Sequence, residues 1–184
     1  KLGRYQQASD YIFASCEEQQ EQSRSLAGHF ADLRIAGLLH GKLHRARELG
    51  VDLELNPACH LGLLADQDAG ALVVVLGNLV ENAMEAVAGL PPQRRKVCVL
   101  VEDDDRTVFI EVRDSGPGIP PELQERVWEP GFSTKADSGR GVGLALVRRR
   151  VESAGGRITL ESGPEGTCFA VWLPRHQADG RRED

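Results

Sequence analysis

The punctuation of the chain is uneven: no proline occurs before Pro57, all nine lie from there on, and half of the 20 glycines crowd between Gly116 and Gly166. Proline ends helices and glycine loosens the backbone. The front of the chain can therefore run in long helices, whereas the back must be short elements joined by turns. Arg4 to Ala27 contains neither residue, which permits one long helix. Its middle, Glu17 to Ser25, carries no large apolar side chain. A helix polar on all sides cannot hold a core alone, so this stretch is expected to project from the body or to lie against another segment. Ala31 to Leu49 reads as a second helix, stopped by Gly50.

After Gly50 the period changes. Val51-Asp-Leu-Glu-Leu55 alternates strictly, as a strand with one buried face does. Asp68 to Ala88 returns to the helical period and is closed by Gly89-Leu-Pro-Pro92. Val97 to Glu102 and Thr107 to Val112 flank Asp103-Asp-Asp105 as a hairpin. Gly139 to Ala154 passes from a glycine loop into a helix that stops at Gly155-Gly156. Arg157 to Glu161 and Thr167 to Leu173 form a last hairpin, and the polar tail from Arg175 is expected to be loose. Strands and helices are segregated along the chain, which predicts the α+β class, a sheet with helices on one face.

Composition narrows the function. In 184 residues, 41% hydrophobic and 27% charged side chains fit one domain, or one domain plus a helical appendage. A formal net charge of −6 disfavours a general nucleic-acid binder. The longest strictly aliphatic run, Leu72 to Leu76, is too short to cross a bilayer, and the N-terminus lacks the pattern of a secretory leader. Cys16, Cys59, Cys98 and Cys168 are widely spaced, which favours reduced thiols in a cytosolic chain.

Four segments carry chemistry. On the helix 68–88, Leu72, Leu76, Leu79, Val80, Ala83 and Val87 share an arc about 100° wide, the core face. Asn78, Glu81, Asn82 and Glu85 lie on the opposite arc, with Asn78 and Asn82 one turn apart. Amide oxygens and carboxylates are hard ligands of the kind Mg²⁺ accepts beside phosphates and water; an isolated Asn-x-x-x-Asn is equally a solvated polar face. Asp114-Ser-Gly-Pro-Gly118 follows a strand, and an aspartate there can accept from an exocyclic amine, with Ile119 able to cover a flat ring; alone, such a stretch is also an ordinary turn. Gly139-Arg-Gly-Val-Gly-Leu144 opens a helix, whose N-terminus favours phosphate. Between the glycine loops, Trp128-Glu-Pro-Gly-Phe-Ser-Thr-Lys135 offers few anchors to a core but an aromatic and a lysine that can close over a ligand. An irregular connection of some 20 residues is expected to be a lid, hinged at Pro130, Gly131 and Ser138 to Gly141 and poorly ordered over 119–140 without a ligand.

In order and spacing these motifs resemble the N, G1, F and G2 boxes of the GHKL ATPase superfamily, over roughly residues 50 to 174. The resemblance implies the Bergerat fold, a mixed sheet with helices on one face. Within that superfamily, Asn78-Leu-Val-Glu-Asn82-Ala and Phe132-Ser-Thr-Lys135 are similar to the sensor histidine kinases. Hydrolysing relatives and serine kinases place a glutamate as general base where this chain has Asn78, and an amide cannot act as a base at neutral pH. Leu2 to Ile12, opening Leu-Gly-Arg-Tyr, and Ala36 to Val51, opening Ala-Gly-Leu-Leu-His, further resemble the citrate/C4-dicarboxylate sensor kinases of two-component systems.

That resemblance implies ATP and Mg²⁺ as ligands, with Asn82 on the cation and Asn78 beside the phosphates. Asp114 would accept from the adenine amino group, with Gly116, Gly118 and Ile119 lining the base and Thr167 touching it through its hydroxyl or a water. Arg140, Gly141, Val142, Gly143 and Leu144 would cradle the triphosphate, and Phe132, Thr134 and Lys135 would belong to the lid. Glu81 would assist proton transfer from the incoming histidine, and Glu85 would lie near the phosphates. The implied domains are 1–49, the remnant of a dimerisation domain without its acceptor histidine, 50–174, the catalytic domain, and 175–184, a flexible tail. The implied partners are a phosphoacceptor-histidine helix of the same or a partner subunit and a response regulator, in a full-length homodimer anchored in the membrane with this part cytoplasmic and touching no nucleic acid. A GHKL hydrolase, a serine kinase and a nucleotide-independent dimerisation module are the alternatives.

Overall fold

The computed structural model describes residue 26, residues 28–132 and residues 143–176. Asp32 starts the first helix, α1 (Leu33–Leu49): its carboxylate accepts from the Arg34 backbone nitrogen at 3.0 Å, satisfying a donor the helix itself leaves open. The Arg34 guanidinium grips the same carboxylate and holds it below the usual carboxylate range. Gly50 ends α1 with φ of 63°, a conformation that favours glycine. The chain then enters β1 (Asp52–Leu55), α2 (Asp66–Val87), β2 (Lys96–Asp103), β3 (Thr107–Asp114), α3 (Gly143–Ser153), β4 (Arg157–Gly163) and β5 (Gly166–Pro174). The strands form one sheet in the order β1-β2-β3-β5-β4, antiparallel except for the parallel β1–β2 pair.

Alternation decides which face is buried. Val97, Val99 and Val101 on β2, Val108, Ile110 and Val112 on β3, and Phe169, Val171 and Leu173 on β5 all point inward. α2 packs on β2 and β3, and α1 and α3 flank it. Leu72, Leu76 and Leu79 of α2 are fully buried, so Leu→Ala at any of them costs about 2–5 kcal/mol. Among the described residues, α2 is the one helix long and apolar enough to cross a membrane, but its apolar face is taken up by the sheet.

Three expectations change. Ile35, Leu39 and Ala46 of α1 are buried in the same core as α2 and the sheet, so the boundary expected after residue 49 cuts through one packed unit. The signal was missed because α1 reads as a free-standing helix until its partner surface is known. Secondly, 119–132 is anchored: it forms two short 3₁₀ turns, Pro121–Leu123 and Arg126–Trp128, with Val127 buried and Trp128 meeting Phe169 edge-on at 5.7 Å. The remainder of the expected lid, with Ser138 to Gly141, lies outside the described residues. Thirdly, the tail does not come loose at Arg175. That guanidinium lies 2.9 Å from the buried Asp103 carboxylate, and the next residue, His176, binds Asp68 through its backbone nitrogen and its ring, each at 2.7 Å. Among the described residues, Cys59, Cys98 and Cys168 are free thiols, as their spacing suggests. Burial pushes all three up, Cys168 to about 11, so they remain protonated at neutral pH.

Candidate functional site

β3 runs two residues beyond its expected end, so that Asp114 is its last residue and pairs with Thr167 of β5. Both are buried. Asp114 Oδ1 accepts from the Gly116 nitrogen at 2.8 Å, and the Thr167 backbone N–H also donates to this carboxylate. Burial pushes the carboxyl up against the pull of those two donors, and burial wins. The two turns that frame Asp114 touch through bare backbone. A Cβ on Gly118 (φ 76°) would stand 1.9 Å from the Gly163 carbonyl oxygen, and one on Gly166 (φ 138°) 1.9 Å from that of Asp114. Only glycine fits either place. Ile119, the next residue, donates its N–H to Ser162 Oγ at 2.7 Å and packs against the core.

The asparagines stand half-buried on α2, away from its core face, as the periodicity requires. Asn78 spends its amide nitrogen on the Val74 carbonyl at 2.7 Å. Its oxygen is left toward α3: a Cβ on Gly143 would lie 3.3 Å from Asn78 Oδ1 and 3.7 Å from either amide atom of Asn82. The first turn of α3 thus abuts both amides, and Leu144 packs inward beside them. At the other end, a Cβ on Gly116 would meet Ala86 at 3.2 Å. Ala86 lies one turn of α2 beyond Asn82, about 6 Å along the axis. The aspartate corner and the amide corner are therefore neighbours on one helix.

Glu81 faces α1 and pairs with Lys42 at 2.5 Å, a partner the sequence did not reveal because it comes from another helix. Glu85 is exposed. Phe132 is half-buried, with the Arg126 guanidinium 4.7 Å from its ring centre. Thr134, Lys135, Arg140, Gly141 and Val142 lie outside the described residues. A cavity of about 440 Å³ lies at the β4–β5 turn, lined in part by Asp114, Ser162 and Thr167. A second, of about 230 Å³, lies between α1 and β1 near Leu43 and Leu53. Neither is lined by Asn78, Asn82 or Gly143. Two residues escaped sequence reading, Ser162 and Gln124. Gln124 Nε2 donates to the carbonyls of Ile119 at 2.9 Å and Ser162 at 3.3 Å. In sequence both look like ordinary turn residues.

The arrangement offers two amides, the start of a helix and a buried carboxylate along a single face. Among the described residues, no group of three or more His, Cys, Asp or Glu could hold a metal unaided. The amide pair fits a cation that brings most of its own ligands.

Residues 67–177, more than half the chain, match the family described as histidine kinase-, DNA gyrase B- and HSP90-like ATPase. Sensor protein CitS of Halalkalibacterium halodurans is 38% identical over 180 residues, 97% of this chain and 34% of that protein. Sensor histidine kinase DcuS of Escherichia coli K12 is 40% identical over 185 residues, 100% of this chain and 33% of that protein. The chain thus spans about a third of the length of these relatives. Among solved structures, the nucleotide-free catalytic domain of histidine kinase ThkA aligns with a TM-score of 0.60 at 31% identity, over 77% of this chain and 90% of that one. With its paired amides, glycine turns and five-stranded sheet, the chain belongs to the histidine kinase-, DNA gyrase B- and HSP90-like ATPase family, as a histidine kinase catalytic domain.

Proposed function

We propose that this chain binds ATP with Mg²⁺ and transfers the γ-phosphoryl group to a histidine carried on a separate helix, for relay to an aspartate of a response regulator. The observation that carries the reading is the line along α2: Gly143 at Asn78 and Asn82, and Gly116 at Ala86 one turn on. It gives a nucleotide a cation end and a base end about one helical turn apart. When bound, Mg²⁺ would neutralise phosphate charge; Asn82 would ligate it, with Asn78 beside the phosphates. Asp114 would accept from the adenine amino group, over a floor of Gly116, Gly118 and Ile119. The first turn of α3, from Gly143 and Leu144, would offer N–H groups to the triphosphate, with Arg140, Gly141 and Val142. Phe132, Thr134 and Lys135 would close over it. Glu81, held at the rim by Lys42, would take the proton of the incoming histidine. Glu85, also on that face, would lie near the phosphates.

Phosphoryl transfer depends mainly on positioning and charge neutralisation, and these residues supply both. None of His29, His40, His44, His60 and His176 stands in an acceptor motif, so the acceptor comes from the same or a partner subunit of a dimer. We place the working domain on the cytoplasmic side of a membrane-anchored sensor. The folded unit would include Leu26 and α1, whose Ile35, Leu39 and Ala46 share its core, and would extend to His176. Incubation with γ-labelled ATP tests the reading: the chain should bind nucleotide and label an acceptor-helix fragment supplied separately, but not itself. Steady ATP turnover without any histidine acceptor would replace the kinase reading with a hydrolase.

A further inference from the structure

Ser162 Oγ lies 2.7 Å from the Ile119 nitrogen, 2.9 Å from Thr167 Oγ1 and 3.4 Å from the Gly166 carbonyl oxygen. A backbone N–H can only donate, so Ser162 accepts from Ile119 and has one proton left to give. Hydroxyl donors prefer acceptors at roughly 2.5–3.0 Å. The proton therefore goes to Thr167, not to Gly166. Thr167 Oγ1, already accepting, is left with its own proton free to donate. Thr167 stands opposite Asp114 in the β3–β5 ladder, on the same inward face. A directed chain results, from Ile119 N–H through the Ser162 hydroxyl to the Thr167 hydroxyl, each bond polarising the next. Gln124 clamps its first link by donating to the carbonyls of both Ile119 and Ser162.

We propose that Ser162 is a positioning residue for base recognition, which sets the Thr167 hydroxyl as a donor beside the Asp114 acceptor. A donor next to an acceptor complements the edge of adenine, where ring N1 accepts and the exocyclic amine donates. It opposes guanine, whose N1–H donates and whose O6 accepts. The contact to N1 is direct or passes through one water. The inference rests on the adenine-nucleotide reading of this corner.

Calorimetric binding of ADP and of 1-deaza-ADP, in which ring N1 is replaced by C–H, tests it on the whole chain. The unsubstituted protein should prefer ADP about tenfold, the worth of one hydrogen bond. Ser162→Ala should shrink that preference to about threefold or less, because the hydroxyl of Thr167 loses its donor and its orientation. Ser162→Thr, which keeps a hydroxyl, should restore it. A residue needed only for the shape of the hairpin would lower the thermal midpoint on substitution and leave the ratio unmoved. An unchanged ratio in Ser162→Ala overturns the proposal and leaves the site standing; so does equal binding of the two nucleotides by the unsubstituted protein. Absence of any ADP binding by the folded chain overturns the nucleotide reading and the proposal together. Should Ser162→Ala not fold, Ser162→Cys, a weaker donor, carries the same test, and a ratio equal to the unsubstituted one overturns the proposal.

Discussion

At the scale of single residues, burial of Asp114 has two consequences of opposite sign. Its carboxyl is pushed above the ordinary 3.8, so the folded protein holds that proton more tightly than the unfolded chain does. Stability linked to Asp114 alone therefore falls as pH rises from 3.8 through the raised value. Nucleotide affinity moves the other way, because only the carboxylate accepts from an amine. Titration calorimetry should show affinity for ADP falling on acidification, beginning above the usual aspartate range, and Asp114→Ala should cost about 1.5–3 kcal/mol, ten- to a hundredfold. His60 presents a second case. Its ring nitrogens face the carbonyl oxygens of Ala58 at 3.1 Å and Asp103 at 2.8 Å, and only the doubly protonated ring donates to both. Those two hydrogen bonds, with the carboxylates of Asp103 and Glu102 nearby, hold the ring above its usual 6.5. Its contribution is full below 6.5 and is lost as pH rises through the raised value. Thermal melts of His60→Ala should accordingly show a deficit of less than about 1 kcal/mol near pH 6 that shrinks toward pH 9, where the neutral ring keeps one donor. Asp114 and the asparagines could be singled out as candidates from sequence because each stands in a short motif of telling residue types. Ser162 could not: its role arises from a contact with Ile119, 43 residues away, which only the sheet register creates.

At the scale of elements, periodicity located nearly every helix and strand of the described residues to within a few residues, since α2 and the β2–β3 hairpin each show one face to the core; the helix expected over Arg4 to Ala27 lies almost wholly outside those residues. It found α1 as a helix but not its place against the core, since Ile35 and Leu39 are as buried as the residues of α2 but their partners lie far along the chain. The consequence is measurable. A fragment starting at residue 50 should lack a cooperative unfolding transition in urea, whereas one starting at residue 26 should keep it. The glycine turns give a sharper test, because they join elements by backbone contact. Gly118→Ala or Gly166→Ala forces a Cβ to within 1.9 Å of a carbonyl oxygen at positive φ. Either should cost about 3 kcal/mol in denaturant unfolding, through overpacking and strain together.

For the molecule as a whole, α2 is the spine that both ends of the site share, so a ligand spanning them should stabilise the entire fold. With ADP and Mg²⁺ at about a hundred times the dissociation constant, the gain is about 2.7 kcal/mol, roughly 5–10 °C in thermal midpoint. The same ligand without the cation should give a smaller rise if Asn82 is a metal ligand. A further consequence follows from where the chain enters and leaves. Phe30 pairs with Leu61, and Arg175 reaches the Leu63 carbonyl and Asp103. Asp103 and Asp114 mark opposite ends of the β2–β3 ladder, about 20 Å apart at the rise of an antiparallel strand. Whatever is tethered ahead of Phe30 or behind His176 thus pulls on the rim remote from the base. A load arriving by either route would enter the fold at the Asp103 end and leave Asp114 and Thr167 outside its line of action.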